Sequence, residues 1–90
     1  MTDDRNLEQV RKDIDAIDLE IQALINRRAR CAQRVADIKL AEIAAGAAEG
    51  EVVYYRPERE AQILNRIIER NEGPLDGPAV AHIFREIMSA

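Results

Sequence analysis

The chain has 90 residues, 13 of them Lys or Arg and 17 Asp or Glu, for a net charge of −4. One cysteine excludes an internal disulfide, a single cysteine and a single histidine exclude metal sites built from Cys or His clusters, and no apolar run approaches the roughly 20 residues of a membrane span. The acidic balance argues against nucleic acid as a partner, and with Tyr54, Tyr55 and Phe84 as the only aromatics a base-stacking surface is not expected. The first residues, Met1-Thr2-Asp3-Asp4-Arg5, are acidic and polar, unlike a signal peptide, so a cytoplasmic setting is expected. The length indicates one small domain, 1–90, whose core is marginal unless association reinforces it.

Residues 5–44 contain neither Pro nor Gly and are dominated by strong helix formers. Asn6 followed by Gln9 resembles a capping box, and Asp3 and Asp4 suit the positive end of a helix dipole. Leu7, Val10, Ile14, Ile17, Ile21, Leu24, Cys31, Val35 and Ile38 step alternately by three and four, a heptad seam interrupted only by Arg28. A helix of about 38 residues is about 57 Å long, more than the remaining chain can cover, so the missing cover is expected from a second copy packed antiparallel about a two-fold axis. Residues 44–51, with Gly46 and Gly50, read as a loop, and 52–55 as briefly extended. Pro57 suits a first helical position, and a second helix is predicted over 57–71 with Ala61, Leu64, Ile67 and Ile68 on its apolar face and Ile63 beside it. Gly73-Pro74 ends it. Asp76 is the predicted N-cap of a third helix, with Pro78 in its first turn and Val80, Ile83, Phe84, Ile87 and Met88 as its apolar face. That pattern runs to Ala90 without a C-cap. The expected architecture is therefore all-α, one long and two shorter helices per chain in an intertwined antiparallel homodimer.

Arg28 sits on the seam, while Arg11 and Lys39 lie on the adjacent stripe with Asp18, Ile25 and Ala32. Arg28 and Lys39 are separated by a rotation of about 20° and a rise of about 16 Å, a span that two long side chains can close around a small metabolite. Arg11 is about 42 Å from Lys39 along the same helix and cannot share that site in cis. An antiparallel two-fold near residues 22–24 brings the partner's Arg11 level with residue 35, between Arg28 and Lys39. Three converging cations call for an anion, because buried like charges repel and resist desolvation. The plainer alternative pairs Arg28 with Asp18 or with a Glu of the partner to set helix register, and the pattern of the first helix alone favours it. The start of the second helix shifts the balance, since Arg59 and Glu60 lie on its first turn and Glu60 is on the stripe leading to Leu64 and Ile67. Cys31 reads as a small seam residue, His82 as exposed, Met88 as core, and Tyr54 and Tyr55 as anchors of the loop.

With these residues in place the sequence resembles the all-helical chorismate mutase family, and within it the mutase domain at the front of bifunctional chorismate mutase–prephenate dehydratases. The resemblance covers nearly the whole chain. It rests on Leu7-x-x-x-Arg11-x-x-Ile14-x-x-Ile17-Asp18, Arg27-Arg28, Val35-x-x-x-Lys39, Pro57-x-Arg59-Glu60 and Ile83-Phe84-Arg85-Glu86-Ile87-Met88. It implies an intertwined cytoplasmic homodimer that converts chorismate to prephenate in the shikimate pathway of aromatic amino acid biosynthesis. By the same resemblance Arg11 of the partner chain and Arg28 hold the substrate carboxylates, and Lys39 contacts the ether oxygen and a carboxylate. Arg59 helps position the substrate, and Glu60 accepts a hydrogen bond from the ring hydroxyl. Arg56 joins the substrate-binding candidates, although the family often has Asp at that position. A polar residue of the family's last helix, commonly Gln or Glu, would fall one or two turns beyond Ala90.

The residue types suit that chemistry. The rearrangement is intramolecular and needs no nucleophile, base, metal or cofactor, and the sequence offers no Ser-His pairing, metal cluster or phosphate-cradling glycine loop. What it offers is cations to hold a flexible dianion in its reactive conformer and to stabilise charge on the ether oxygen. Two other readings stand beside it: an isochorismate pyruvate lyase of related fold, against which the Arg59-Glu60 pair weighs, and a helical dimerisation module without chemistry.

Overall fold

Without Gly or Pro from Asp4 to Ala44, nothing in the sequence interrupts a helix once it has nucleated, and the first 41-residue element follows from that. The computed structural model describes residues 4–46 and 57–90. Among them are three helices, α1 (Asp4–Ala44), α2 (Pro57–Arg70) and α3 (Gly77–Ser89), and no strand. The predicted extended segment 52–55, with Tyr54 and Tyr55, and the junction residue Arg56 lie outside the described residues. Among the described residues, no helix is long and apolar enough to cross a membrane.

The chain divides into two compact units, one reaching Val35 and the other beginning at Ala36. The first consists of α1 up to Val35. Asn6 lies inside the helix here instead of capping it, and the Gln9 side chain donates to Asp13 Oδ1 at 2.9 Å. Nothing at Asp4 or Arg5 opposes helical geometry, so the helix starts ahead of the expected cap. The seam is exposed on the single chain: Leu7, Val10, Ile14, Ile17, Ile21, Leu24 and Val35 are each between 47% and 58% accessible. Seven apolar side chains half open to water along one stripe of one helix form far more than scattered surface hydrophobics.

The second unit carries the rest of α1 and the α2–α3 hairpin. α1 closes through Ala45 N–H donating to Ala41 O and Gly46 N–H donating to Ile43 O. Gly46 has φ 76°, the left-handed conformation that glycine adopts without a Cβ penalty at a helix end. Helix α2 begins at Pro57 with Glu58 and Glu60 in its first turn and Arg70 in its last, each favourable to the dipole. A short connection follows, in which the Gly73–Pro74 peptide is cis and the Asn71 side chain donates to Leu75 O at 2.7 Å. Asp76 then caps α3 as expected: its backbone is extended and its carboxylate accepts from Ala79 N–H at 2.8 Å. Asp76→Ala should lower stability by about 1 kcal/mol, read as a shift in the urea midpoint at constant slope. An unmoved midpoint would mean that the cap contributes nothing.

Packing of α2 on α3 selects a narrower core than the apolar pattern suggested. Leu64, Ile67 and Ala81 are buried, whereas Ala61 is exposed, Ile68 is 43% accessible and Ile83 is 45%. Val80, Phe84, Ile87, Met88 and Ile63 are half-buried. The reason is close approach near the turn. A Cβ added at Gly77 would lie 3.2 Å from Ile68 Cγ2, so the start of α3 lies directly against α2 and the small Ala81 faces the hairpin interior. In the last turn of α3, Ala90 N–H donates to Ile87 O at 3.3 Å and Ser89 Oγ donates to Glu86 O.

Candidate functional site

The expected site residues fall on two elements. Arg11, Arg28 and Lys39 are on α1, and Arg59 and Glu60 are consecutive in the first turn of α2. Arg56 lies outside the described residues.

In the first unit every described side chain from Asn6 to Leu24 is exposed, Arg11 included. Only Ile25 and Arg28, one turn apart, are half-buried there. A guanidinium on an otherwise open helix has every reason to extend into water, so its partial burial beside an isoleucine sets Arg28 apart from Arg27, Arg30 and Arg34, which are exposed. Arg11 lies 17 residues before Arg28, about 26 Å of helix rise, so one chain cannot bring these two cations together.

In the second unit Ala36, Lys39 and Ile43 are half-buried at helical spacing on the end of α1, while Asp37, Leu40 and Glu42 are exposed. Lys39 therefore rises from an apolar strip. The sequence puts Lys39 in register with Arg11, Asp18, Ile25 and Ala32; the half-buried strip it shares here is instead Ala36 and Ile43, and the signal of Ile43 is its spacing of four from Lys39. On α2, Glu60 is half-buried and Arg59 exposed. Glu60 is followed at four and seven residues by the buried Leu64 and Ile67, which accounts for its inward lean. Among the described residues no group of three or more His, Cys, Asp or Glu side chains is placed to share a metal ion. The free thiol of Cys31 is exposed on the single chain, as is His82.

The first unit thus carries a half-buried Arg28 and an exposed Arg11, and the second a half-buried Lys39 and a half-buried Glu60 with an exposed Arg59. Partly desolvated cations of this kind attract anions more strongly than surface cations do, and a half-buried carboxylate can accept a hydrogen bond from a ligand hydroxyl.

Comparison with known proteins gives this pattern a family. The sequence profile of chorismate mutase type II matches residues 10–90. The bifunctional chorismate mutase/prephenate dehydratases of Pseudomonas aeruginosa and Stutzerimonas stutzeri are each 48% identical over 90 residues, covering 100% of this chain and 24% of theirs. That of Neisseria gonorrhoeae is 43% identical over 79 residues, covering 88% of this chain and 19% of its own length. The chain therefore spans about a quarter or less of the curated relatives it matches. Among solved structures, a chorismate mutase from Thermus thermophilus superposes with a TM-score of 0.74 at 26% identity, covering 92% of this chain and 94% of that one.

Proposed function

Because this chain belongs to the chorismate mutase type II family, we propose that it converts chorismate to prephenate, acting as a homodimer in which each site takes Arg11 from the partner. The observation that carries this reading is the match over residues 10–90, the stretch in which Arg11, Arg28, Lys39, Arg59 and Glu60 lie. The partial burial of Arg28, Lys39 and Glu60 agrees with it.

The chemistry asks little of the protein beyond placement and charge. One C–O bond breaks and one C–C bond forms within a single molecule, so no proton or group need pass to a side chain. Arg28 and the partner's Arg11 grip the two carboxylates, drawing the side chain of the substrate over its ring and converting lost rotational freedom into rate. Lys39 donates to the ether oxygen, where negative charge grows as the C–O bond lengthens. Glu60 accepts from the ring hydroxyl and fixes the face presented, with Arg59 positioning the same end. Arg56, which precedes Pro57 in the sequence, is counted with the binding residues as an additional cation. The exposed seam supports the dimer: a second copy covers it, and a two-fold near residues 22–24 carries Arg11 across to the half-buried cations.

The direct test is loss of chorismate absorbance on mixing, followed by acid conversion of prephenate to phenylpyruvate. Purified chain that leaves chorismate unchanged overturns the reading, and release of pyruvate from isochorismate would replace it. Arg28→Lys keeps the charge but loses the bidentate fork, and should raise KM about tenfold with a smaller effect on kcat. An unchanged KM would remove Arg28 from carboxylate recognition.

A further inference from the structure

The seam says that α1 is covered, but an apolar stripe alone does not say in which direction or register the covering helix runs. The charges beside it do. With Leu7 and Val10 opening the a and d positions, the g positions along one flank are Asp13, Glu20, Arg27 and Arg34, two acids followed by two bases. All four are exposed, and among the described residues Glu20, Arg27 and Arg34 have no hydrogen bond or ion pair within the chain, while Asp13 accepts only from Gln9.

We infer that this flank is an orientation code for self-association: in the homodimer Asp13 pairs with the partner's Arg34 and Glu20 with the partner's Arg27, each twice by symmetry. The inference rests on the dimer proposed above and adds its register. In an antiparallel pair the a and d layers alternate, so Ile21 meets the partner's Leu24 and Ile14 the partner's Cys31. That alignment sets g against g, and acid falls opposite base at every one of these positions. It is also the alignment that places the partner's Arg11 level with residue 34, between Arg28 and Lys39, so one register satisfies the seam, the flank and the site. The other flank excludes the wrong orientation. In a parallel pair g meets the e position five residues on, which places Asp13 against the partner's Asp18 and Arg34 against the partner's Lys39, two like-charge contacts. None of the four g residues belongs to the binding machinery, so their effect on catalysis runs only through assembly.

The experiment exploits the symmetry of the code. Asp13→Lys with Glu20→Lys makes the flank wholly positive, and Arg27→Glu with Arg34→Glu makes it wholly negative. Each double variant should dissociate more readily than the parent, with the dimer Kd raised roughly 10- to 100-fold at low salt and less at high salt. Mixing the two should give a one-to-one heterodimer by sedimentation, and the chain carrying all four reversals should recover the parent's Kd. That recovery separates a lost code from a lost fold, because the quadruple variant carries every substitution. Double variants that dimerise like the parent, a mixture that does not pair, or a quadruple variant as weak as the doubles would each overturn the code while leaving the dimer standing. A parent chain that sediments as a monomer would instead overturn the dimer and the code together.

Discussion

Lys39→Ala is expected to lower kcat by about 10²–10³-fold, equivalent to roughly 2.7–4 kcal/mol of barrier, because it removes a preorganised donor aimed at charge that develops only in the transition state. Lys39 emerges between Ala36 and Ile43, half-buried on the last turns of α1, so its ammonium is less screened than a surface lysine would be. An ionic contact made equally with the ground state would appear in KM. A contact that strengthens as the C–O bond breaks appears in kcat, and the split between the two parameters reports which is in play. Alanine is a better helix former than lysine by a small margin, so α1 should be unharmed. Circular dichroism and sedimentation of the purified variant should match the parent. A kcat within about twofold of the parent's would remove Lys39 from the reaction.

The second large effect is expected on assembly. Ile21→Asp places a carboxylate at the middle of the seam, next to the proposed two-fold, where both copies of the substitution come close together. Burying ionised carboxylates without partners costs several kcal/mol per ion, and the symmetry doubles it. The dimer should be lost at micromolar concentration, and with it both the cooperative unfolding transition and turnover, since no partner delivers Arg11. Leu19→Asp is the matched control. It imposes at least as large a helix-propensity penalty, Leu being a better helix former than Ile, but Leu19 is 69% accessible and lies off the seam, so stability should stay within about 0.5 kcal/mol of the parent. A variant Ile21→Asp that still sediments as a dimer would place the interface elsewhere.

Much of the fold was written locally. The bounds of α1 follow from an uninterrupted run of helix formers, and the start of α3 from Asp76 and Pro78, because those signals act within one turn. What local pattern does not contain is the distance between helices. Ile68 and Ile83 fit their apolar faces as well as Ile67 does, yet they stay 43% and 45% accessible while Ala81 is buried, with Gly77 approaching the side chain of Ile68 closely where α3 begins. The Asn6 cap fails for a related reason: a capping motif marks a boundary only where something prevents the helix from beginning earlier. At the site, Arg28 was conspicuous because a charge on an apolar row has no local excuse, and Glu60 because its spacing to Leu64 and Ile67 turns it inward. Arg11 carries no such mark. Along one chain it is an ordinary exposed helix arginine, and any role it has must be read from the geometry of two chains.

Among the described residues a single chain buries only Leu64, Ile67 and Ala81. So few interior side chains cannot offset the conformational entropy of three helices, which leaves folding and pairing as one event in the proposed dimer. Refolding then becomes a second-order process, slower in proportion as the solution is thinned. Catalysis per chain ceases to be a constant of the molecule: on dilution toward the dissociation range, specific activity decays together with the helical signal, and output responds to the square of expression at low abundance.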